Sequence, residues 1–378
     1  MPSPVTTSGG TAQTTRGGQA AAPVATVPFV RASQLHRESI LDRTVTMTAS
    51  DQDQGAIPIP AYGYLRSVLI QVTTSGSAGA ATFSEDGPWN LLKNILLQEP
   101  NGATIAQFNS GYEVYLVDKY GGYRGFNDPK NLGAYLANAA NGAFSFFVRI
   151  PVELNVRDAL GSLPNQNAAA AFQLRFVMAA STTVYSAVPA TTLPNVRFRI
   201  WAEEWDQPDL STDGAPNQTT PPVMNTTQFF SVQTFPIAAA GVQTIRLTRM
   251  GNYIRNWIFI YRAATRAAGE TNWPDVTLYW DTRPLDFVNQ SVWRTQMYER
   301  GGYAWSNAQA LDAVNGQDSG VYVYDFAHEF DGVYGHENRD LWLPTLGSTR
   351  FEIQGNFGAA GNLTVITNDV SVAGNVFL

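Results

Sequence analysis

Tyr64-Leu65-Arg66-Ser67-Val68-Leu69-Ile70 (YLRSVLI) returns 189 residues later as Tyr253-Ile254-Arg255-Asn256-Trp257-Ile258-Phe259 (YIRNWIF). Each copy has an aromatic start, an arginine in third place and then an apolar run rich in β-formers, which reads as a buried strand. Two more echoes follow in the same order. Gly121-Gly122-Tyr123 is answered by Gly301-Gly302-Tyr303, and Leu163-Pro164 by Leu343-Pro344, both at an offset of 180. Each echo is short, but three in one order predict two copies of a single β fold.

Working outward, residues 44–48 alternate, and residues 64–73, 144–152, 172–178 and 196–205 read as strands rich in aromatic and aliphatic side chains. Residues 94–99 and 103–108 flank Pro100-Asn101-Gly102 as a hairpin, with Asn-Gly suggesting a type I′ turn. The period changes in GYEVYLVDKYGG: Tyr112, Tyr115, Leu116 and Tyr120 share a helical face, and Gly121 is placed to end that helix. Residues 33–43 are expected to form a short helix, with Ser33 as N-cap and His36 and Ile40 four apart. Residues 1–28 hold no apolar aromatic anchor until Phe29 and read as a flexible arm. The polar, proline-rich residues 206–222 read as a linker.

The expected organisation is therefore an arm and short helix at 1–40, one domain at 41–205, the linker 206–222 and a second domain at 223–378. Each half has the size of an eight-stranded jelly roll with an inserted helix; immunoglobulin sandwiches are nearer ~100 residues and propeller blades repeat every ~45. The fold class expected is all-β: two tandem eight-stranded jelly rolls with short inserted helices.

Composition narrows the function. Charged residues are 15%, against roughly 25% in an average soluble domain. Of the 24 basic residues only Lys93, Lys119 and Lys130 are lysines, a bias that fits either subunit interfaces, which favour arginine, or a GC-rich genome. A net charge of -7 argues against a direct grip on nucleic acid. The absence of cysteine removes disulfides, thiolate nucleophiles and cysteine zinc sites. The start, MPSPVTTSGG, lacks the pattern of a secretory signal, and no long apolar run predicts a membrane-spanning helix.

Candidate chemistry is sparse. His328, Glu329, Asp331, His336 and Glu337 gather two imidazoles and three carboxylates, but the histidines are eight apart across Asp331-Gly332 rather than one helical turn apart, so a solvated loop is expected and no metal is assigned. Trp201, Glu203, Glu204 and Trp205 are the raw material of a sugar site, yet adjacent glutamates on a strand point to opposite faces. Arg339-Asp340 reads as a structural ion pair or cap, and the sequons at Asn217, Asn225, Asn289 and Asn362 are formal matches. There is no phosphate loop, dinucleotide fingerprint or nucleophile elbow. Neither an enzyme nor a cofactor is expected.

Taken together, YLRSVLIQVT, DGPWNLLKNILLQEPNG (residues 86–102), the helix from Tyr112, DTRPLD (281–286), the helix around Trp293 and DGVYGHENRD (331–340) resemble the major capsid proteins of tectivirus-like, tailless, membrane-containing phages, of the double jelly-roll capsid lineage. The resemblance spans roughly residues 40–375 as a pattern of strands and phrases. It implies pseudo-hexagonal homotrimers that tile an icosahedral shell in the virion, assembled in the host cytoplasm. Implied partners are neighbouring capsomers, vertex or penton and minor capsid proteins, and an internal lipid membrane reached by the N-terminal arm, with Arg31, Arg37 and Arg43 facing headgroups. Direct nucleic-acid contact is not implied. The rival reading is a carbohydrate-binding jelly-roll protein of a spike or lectin type.

Overall fold

The computed structural model describes residues 27–28, 33–121, 128–154, 159–207, 219–220, 227–301, 303, 310–326 and 339–371. The first half carries β1 Leu35–Thr46, β2 Gln52–Ile59, β3 Tyr64–Ser75, β4 Leu92–Gln98, β5 Thr104–Ser110, helix α1 Gly111–Tyr120, β6 Ala143–Pro151, β7 Phe172–Met178 and β8 Asn195–Trp205. The second carries β9 Thr227–Ile237, β10 Gly241–Leu247, β11 Tyr253–Arg262, α2 Arg266–Thr271, β12 Val276–Trp280, β13 Arg283–Val288, α3 Gln290–Gly301, β14 Val321–Asp325, β15 Phe351–Phe357 and β16 Gly361–Ser371.

Strand order is the same in both halves. In the first, β1-β8-β3-β6 form one sheet and β2-β7-β4-β5 the other; in the second, β9-β16-β11-β14 face β10-β15-β12-β13. Each half is an eight-stranded jelly roll, and each inserts a helix between its fifth and sixth strands. A single parallel pairing, Phe230 with Ala106, joins β9 to β5, so one sheet of the first half continues into one sheet of the second.

The sequence echoes occupy equivalent places. Leu163 and Pro164 pair with Leu65 and Tyr64 of β3, and Leu343 and Pro344 pair with Ile254 and Tyr253 of β11 in the same register. The next residue repeats its hydrogen bond too: the Asn165 N–H donates to Gly63 O at 2.9 Å and the Thr345 N–H to Asn252 O at 3.1 Å. Gly121 and Gly301 end the paired helices.

Two local expectations are corrected. Residues 33–43 are not helical: β1 starts at Leu35, ahead of the expected boundary at 41, and pairs antiparallel with β8 from Leu35–Trp205 to Thr46–Asn195. A short isolated helix is marginal, whereas this partner supplies a full ladder of hydrogen bonds. The 99–103 hairpin is not type I′, because of the central pair that such a turn needs at positive φ only Gly102, and not Asn101, adopts it. Instead the Gly102 N–H donates to Glu99 O at 2.9 Å, Gly102 alone adopts φ +87°, and the ladder shifts register beside it, which is a type I turn with a glycine bulge. Helix α1 forms where expected and ends at Gly121, and all of its residues are buried. The linker 206–222 lies largely outside the described residues, although Thr219–Thr220 pair in parallel with Val27–Pro28.

The cores of the two jelly rolls are continuous. Trp89, Tyr115 and Phe146 on one side belong to the same buried cluster as Trp257, Phe259 and Trp293 on the other.

Candidate functional site

Helix α1 builds the seam between the halves. Its first turn is fixed by Ser110, whose hydroxyl accepts from the Tyr112 N–H at 3.2 Å, and by Glu113, whose carboxylate accepts from the N–H groups of Asn109 and Ser110 at 2.7 and 3.3 Å. Trp89 stacks on Tyr115 with centroids 4.6 Å apart, which holds the helix on the first jelly roll. At the other end Lys119, wholly buried, reaches across: its Nζ donates to Asp318 Oδ2 and Gly316 O, each at 2.6 Å, and lies 3.2 Å from Asp128. Tyr120 donates to Asp318 at 2.8 Å and Tyr303 to Lys119 O at 3.0 Å. Burial by itself would raise the Asp318 carboxyl; Lys119, Lys130 and Arg266 overcome it and hold the group well below the usual carboxylate range.

Glu113 behaves in the opposite way. Burial pushes its carboxyl up to about 7, against the pull of the two backbone N–H groups. The folded protein therefore keeps this proton over a range in which the unfolded chain, near pH ~4.3, has lost it. Stability from this group is full below that unfolded value and falls as pH rises towards 7, by on the order of 3 kcal/mol. Urea titrations at pH 5 and 8 should show wild type losing stability relative to Glu113→Gln; parallel profiles for the two proteins would refute the assignment.

A second node crosses the same seam. Arg266, 2% exposed, donates from Nε to Asp86 at 2.7 Å, from Nη1 to Asp312 at 2.8 Å and from Nη2 to Glu85 O at 2.8 Å. Arg262 joins it on Asp86 at 2.8 Å, and the Glu85 carboxylate accepts from the Arg266 and Ala267 N–H groups at 2.7 and 2.9 Å. Farther along, the Gln228 amide donates to Val152 O and Glu153 O at 3.2 and 3.0 Å. With a shared apolar core and buried ionic contacts on several elements, the two jelly rolls are held in one fixed relation.

The residues singled out from sequence fare differently. Arg37 donates to Glu203 at 2.5 Å and Arg43 to Gln54 O at 2.9 Å; Arg31 lies outside the described residues. Glu203 and Glu204 do point to opposite faces. Glu203 meets Arg37, Arg149 and Ser67, whereas Glu204 accepts from the Asn165 amide at 2.9 Å and is pushed up to about 7 by burial. Trp205 is buried, covered by Arg66 and bonded to Glu153 at 2.9 Å, so it offers no face to a sugar. The His328, Glu329, Asp331, His336 and Glu337 cluster lies outside the described residues, as do Asn217 and Asn225. The Asn289 carboxamide accepts from the Val292 N–H at 2.8 Å and caps α3, Asn362 sits on β16, and Arg339 opens a 3-10 turn. Sequence reading missed the seam, although two of the three lysines in the chain, Lys119 and Lys130, both bond across it.

Comparison with known proteins places this architecture. The chain matches the STIV major capsid protein with a TM-score of 0.60 and 14% identity, over 89% of this chain and 97% of that one. It matches the major capsid protein P2 of bacteriophage PM2 with a TM-score of 0.55 and 11% identity, over 91% and 99%. The PBCV-1 virus capsid matches with a TM-score of 0.57 and 11% identity, over 89% and 93%.

The chain is a double jelly-roll protein.

No family model and no curated sequence matches it. The likeness is one of double jelly-roll fold, carried across almost the full length of each matched chain at an identity of 14% or less.

Proposed function

We propose that this double jelly-roll chain is a major capsid protein and has no catalytic role. The observation that carries the reading is the repeat of one strand order in two halves locked by Lys119–Asp318 and Arg266–Asp86 into a fixed relation. Three such chains around a threefold axis present six similar flanks, which lets one sequence tile a near-hexagonal lattice. The matched capsid proteins support this reading.

The flanks themselves are suited to repeated contact. In the second half β10 and β13 are the two edges of one sheet, and they expose Val242 at 68% and Phe287 at 64%. Edge strands with exposed apolar side chains are places where another chain docks. On this reading the domains are 41–205 and 223–378, extended on the N-terminal side by the first residues of β1, and the linker is 206–222. The product is an icosahedral shell of homotrimers around an internal membrane in the virion, assembled in the host cytoplasm and completed by vertex and minor capsid proteins. Arg31, Arg37 and Arg43 would meet headgroups, Arg37 and Arg43 from β1 itself, with no direct contact to nucleic acid.

Light scattering with negative-stain microscopy tests the trimer. Three chains of 41.2 kDa give a particle of about 124 kDa with a six-lobed outline. A monomer or a slender fibre would remove the capsid reading, and saturable quenching of tryptophan fluorescence by host glycans would favour the lectin reading. In the same preparations, flotation with anionic vesicles should fall when Arg31, Arg37 and Arg43 are changed to Ser; unchanged flotation removes the membrane contact.

A further inference from the structure

His36 and Glu38 stand two apart near the start of β1, and the β1–β8 register sets His36 directly opposite Glu204. Residues two apart on a strand share a face, so all three side chains meet on one side of the sheet. One ligand atom from each lies within 4.8 Å of the others.

The buried acid there is short of a partner. Glu204 is fully buried, and while Oε1 accepts from Asn165, its Oε2 has no partner. Buried carboxylate oxygens are rarely left in that state. Among the described residues no lysine or arginine pairs with Glu38, Glu204 or the neighbouring Asp206; Arg37 is directed to Glu203, and Arg66 contacts Glu153.

The surroundings also hold the group in place. The Tyr62 ring lies against His36 with centroids 4.1 Å apart, and its hydroxyl donates to the Asp206 carboxylate. Asp206 is tied in turn, its O accepting from the Ser33 hydroxyl at 2.5 Å and its N–H donating to Gln34 O at 2.8 Å. Gly63 permits this closeness, since a Cβ there would sit 1.9 Å from Trp205 O.

We propose that His36, Glu38 and Glu204 bind a divalent transition cation of the Zn²⁺ class, which clamps the first strand of the fold to the last strand of the first jelly roll. One imidazole and two carboxylates form a mixed nitrogen and oxygen set, which suits Zn²⁺ and its neighbours better than the all-oxygen preference of Ca²⁺ or Mg²⁺. The clamp acts where it has most effect. Among the described residues β1 is an edge strand paired only through β8, and this end joins the chain entering the first jelly roll to the chain leaving it for the second.

Full-length protein stripped with EDTA and titrated calorimetrically with ZnCl₂ should take up one Zn²⁺ per chain and gain in thermal unfolding midpoint, while CaCl₂ gives no comparable response. His36→Gln and Glu38→Gln alter half-exposed positions and should retain the wild-type circular dichroism. Each should weaken uptake by more than the ~10-fold that follows loss of an outer partner of a metal ligand. Absence of saturable uptake by wild type overturns the proposal. So does uptake that both variants retain, which would place the ion elsewhere, for example at His328 and His336.

Discussion

Lys119→Met lowers stability by about 3–5 kcal/mol, the range for removing one partner of a buried ion pair. The Lys119 ammonium and the carboxylates of Asp318 and Asp128 are all without solvent exposure, and Nζ lies 2.6 and 3.2 Å from the two acids. Methionine fills much of the lysine volume, so packing is largely kept, and what remains is negative charge in a low-dielectric seam. Against a typical total of about 5–15 kcal/mol this is a large fraction. Urea unfolding at pH 7, followed by tryptophan fluorescence, measures it. Adding Asp318→Asn to Lys119→Met should recover part of the loss, because the two sites are coupled. A loss under about 1 kcal/mol for the single variant would mean that the seam is wetter or looser than described.

Trp293→Ala should cost a similar amount, about 3–5 kcal/mol. The indole is fully buried at the start of α3, donates to Val323 O at 2.8 Å, and meets Trp273, Phe259 and Tyr322 edge-on with centroids 5.5–5.7 Å away. Truncation removes those contacts, opens a cavity that rigid aromatic neighbours cannot fill, and deprives a buried carbonyl of its side-chain donor. Trp293→Phe keeps a ring and should lose about 1–3 kcal/mol, mainly the hydrogen bond. Since both halves share one apolar cluster, calorimetry should show the wild type and both variants unfolding in one transition. Two separated transitions would contradict the single-body reading.

Much of the fold is legible in particular phrases. YLRSVLI and YIRNWIF are the third strands of their jelly rolls, and the Leu-Pro pairs that follow each of them dock in the same register. An apolar β-rich run has few alternatives, and a repeated run with repeated neighbours specifies a repeated environment. The misreadings have physical causes. Residues 33–43 satisfy helical spacing with Ser33 and the His36–Ile40 pair, but a ladder to β8, more than 150 residues away, decides their conformation. Pro100, with its fixed negative φ, suits the second position of the type I turn and outweighs the Asn101-Gly102 signal.

The sites were less legible, because they are made by distance. Glu203 and Glu204 were separable from sequence, since strand alternation alone sends them to opposite faces. Nothing local indicated that one would meet two arginines and the other a histidine from the opposite strand. Periodicity, turn residues and repeated phrases by themselves determined that this protein is all-β, doubled and built on jelly rolls, because those signals act over a few residues and are set by backbone geometry. Only the tertiary structure decided that α1 is wholly buried, that Lys119 answers Asp318 across the seam, and that His36, Glu38 and Glu204 converge. Charge compensation and burial depend on which distant strands become neighbours, and that is a property of the closed fold.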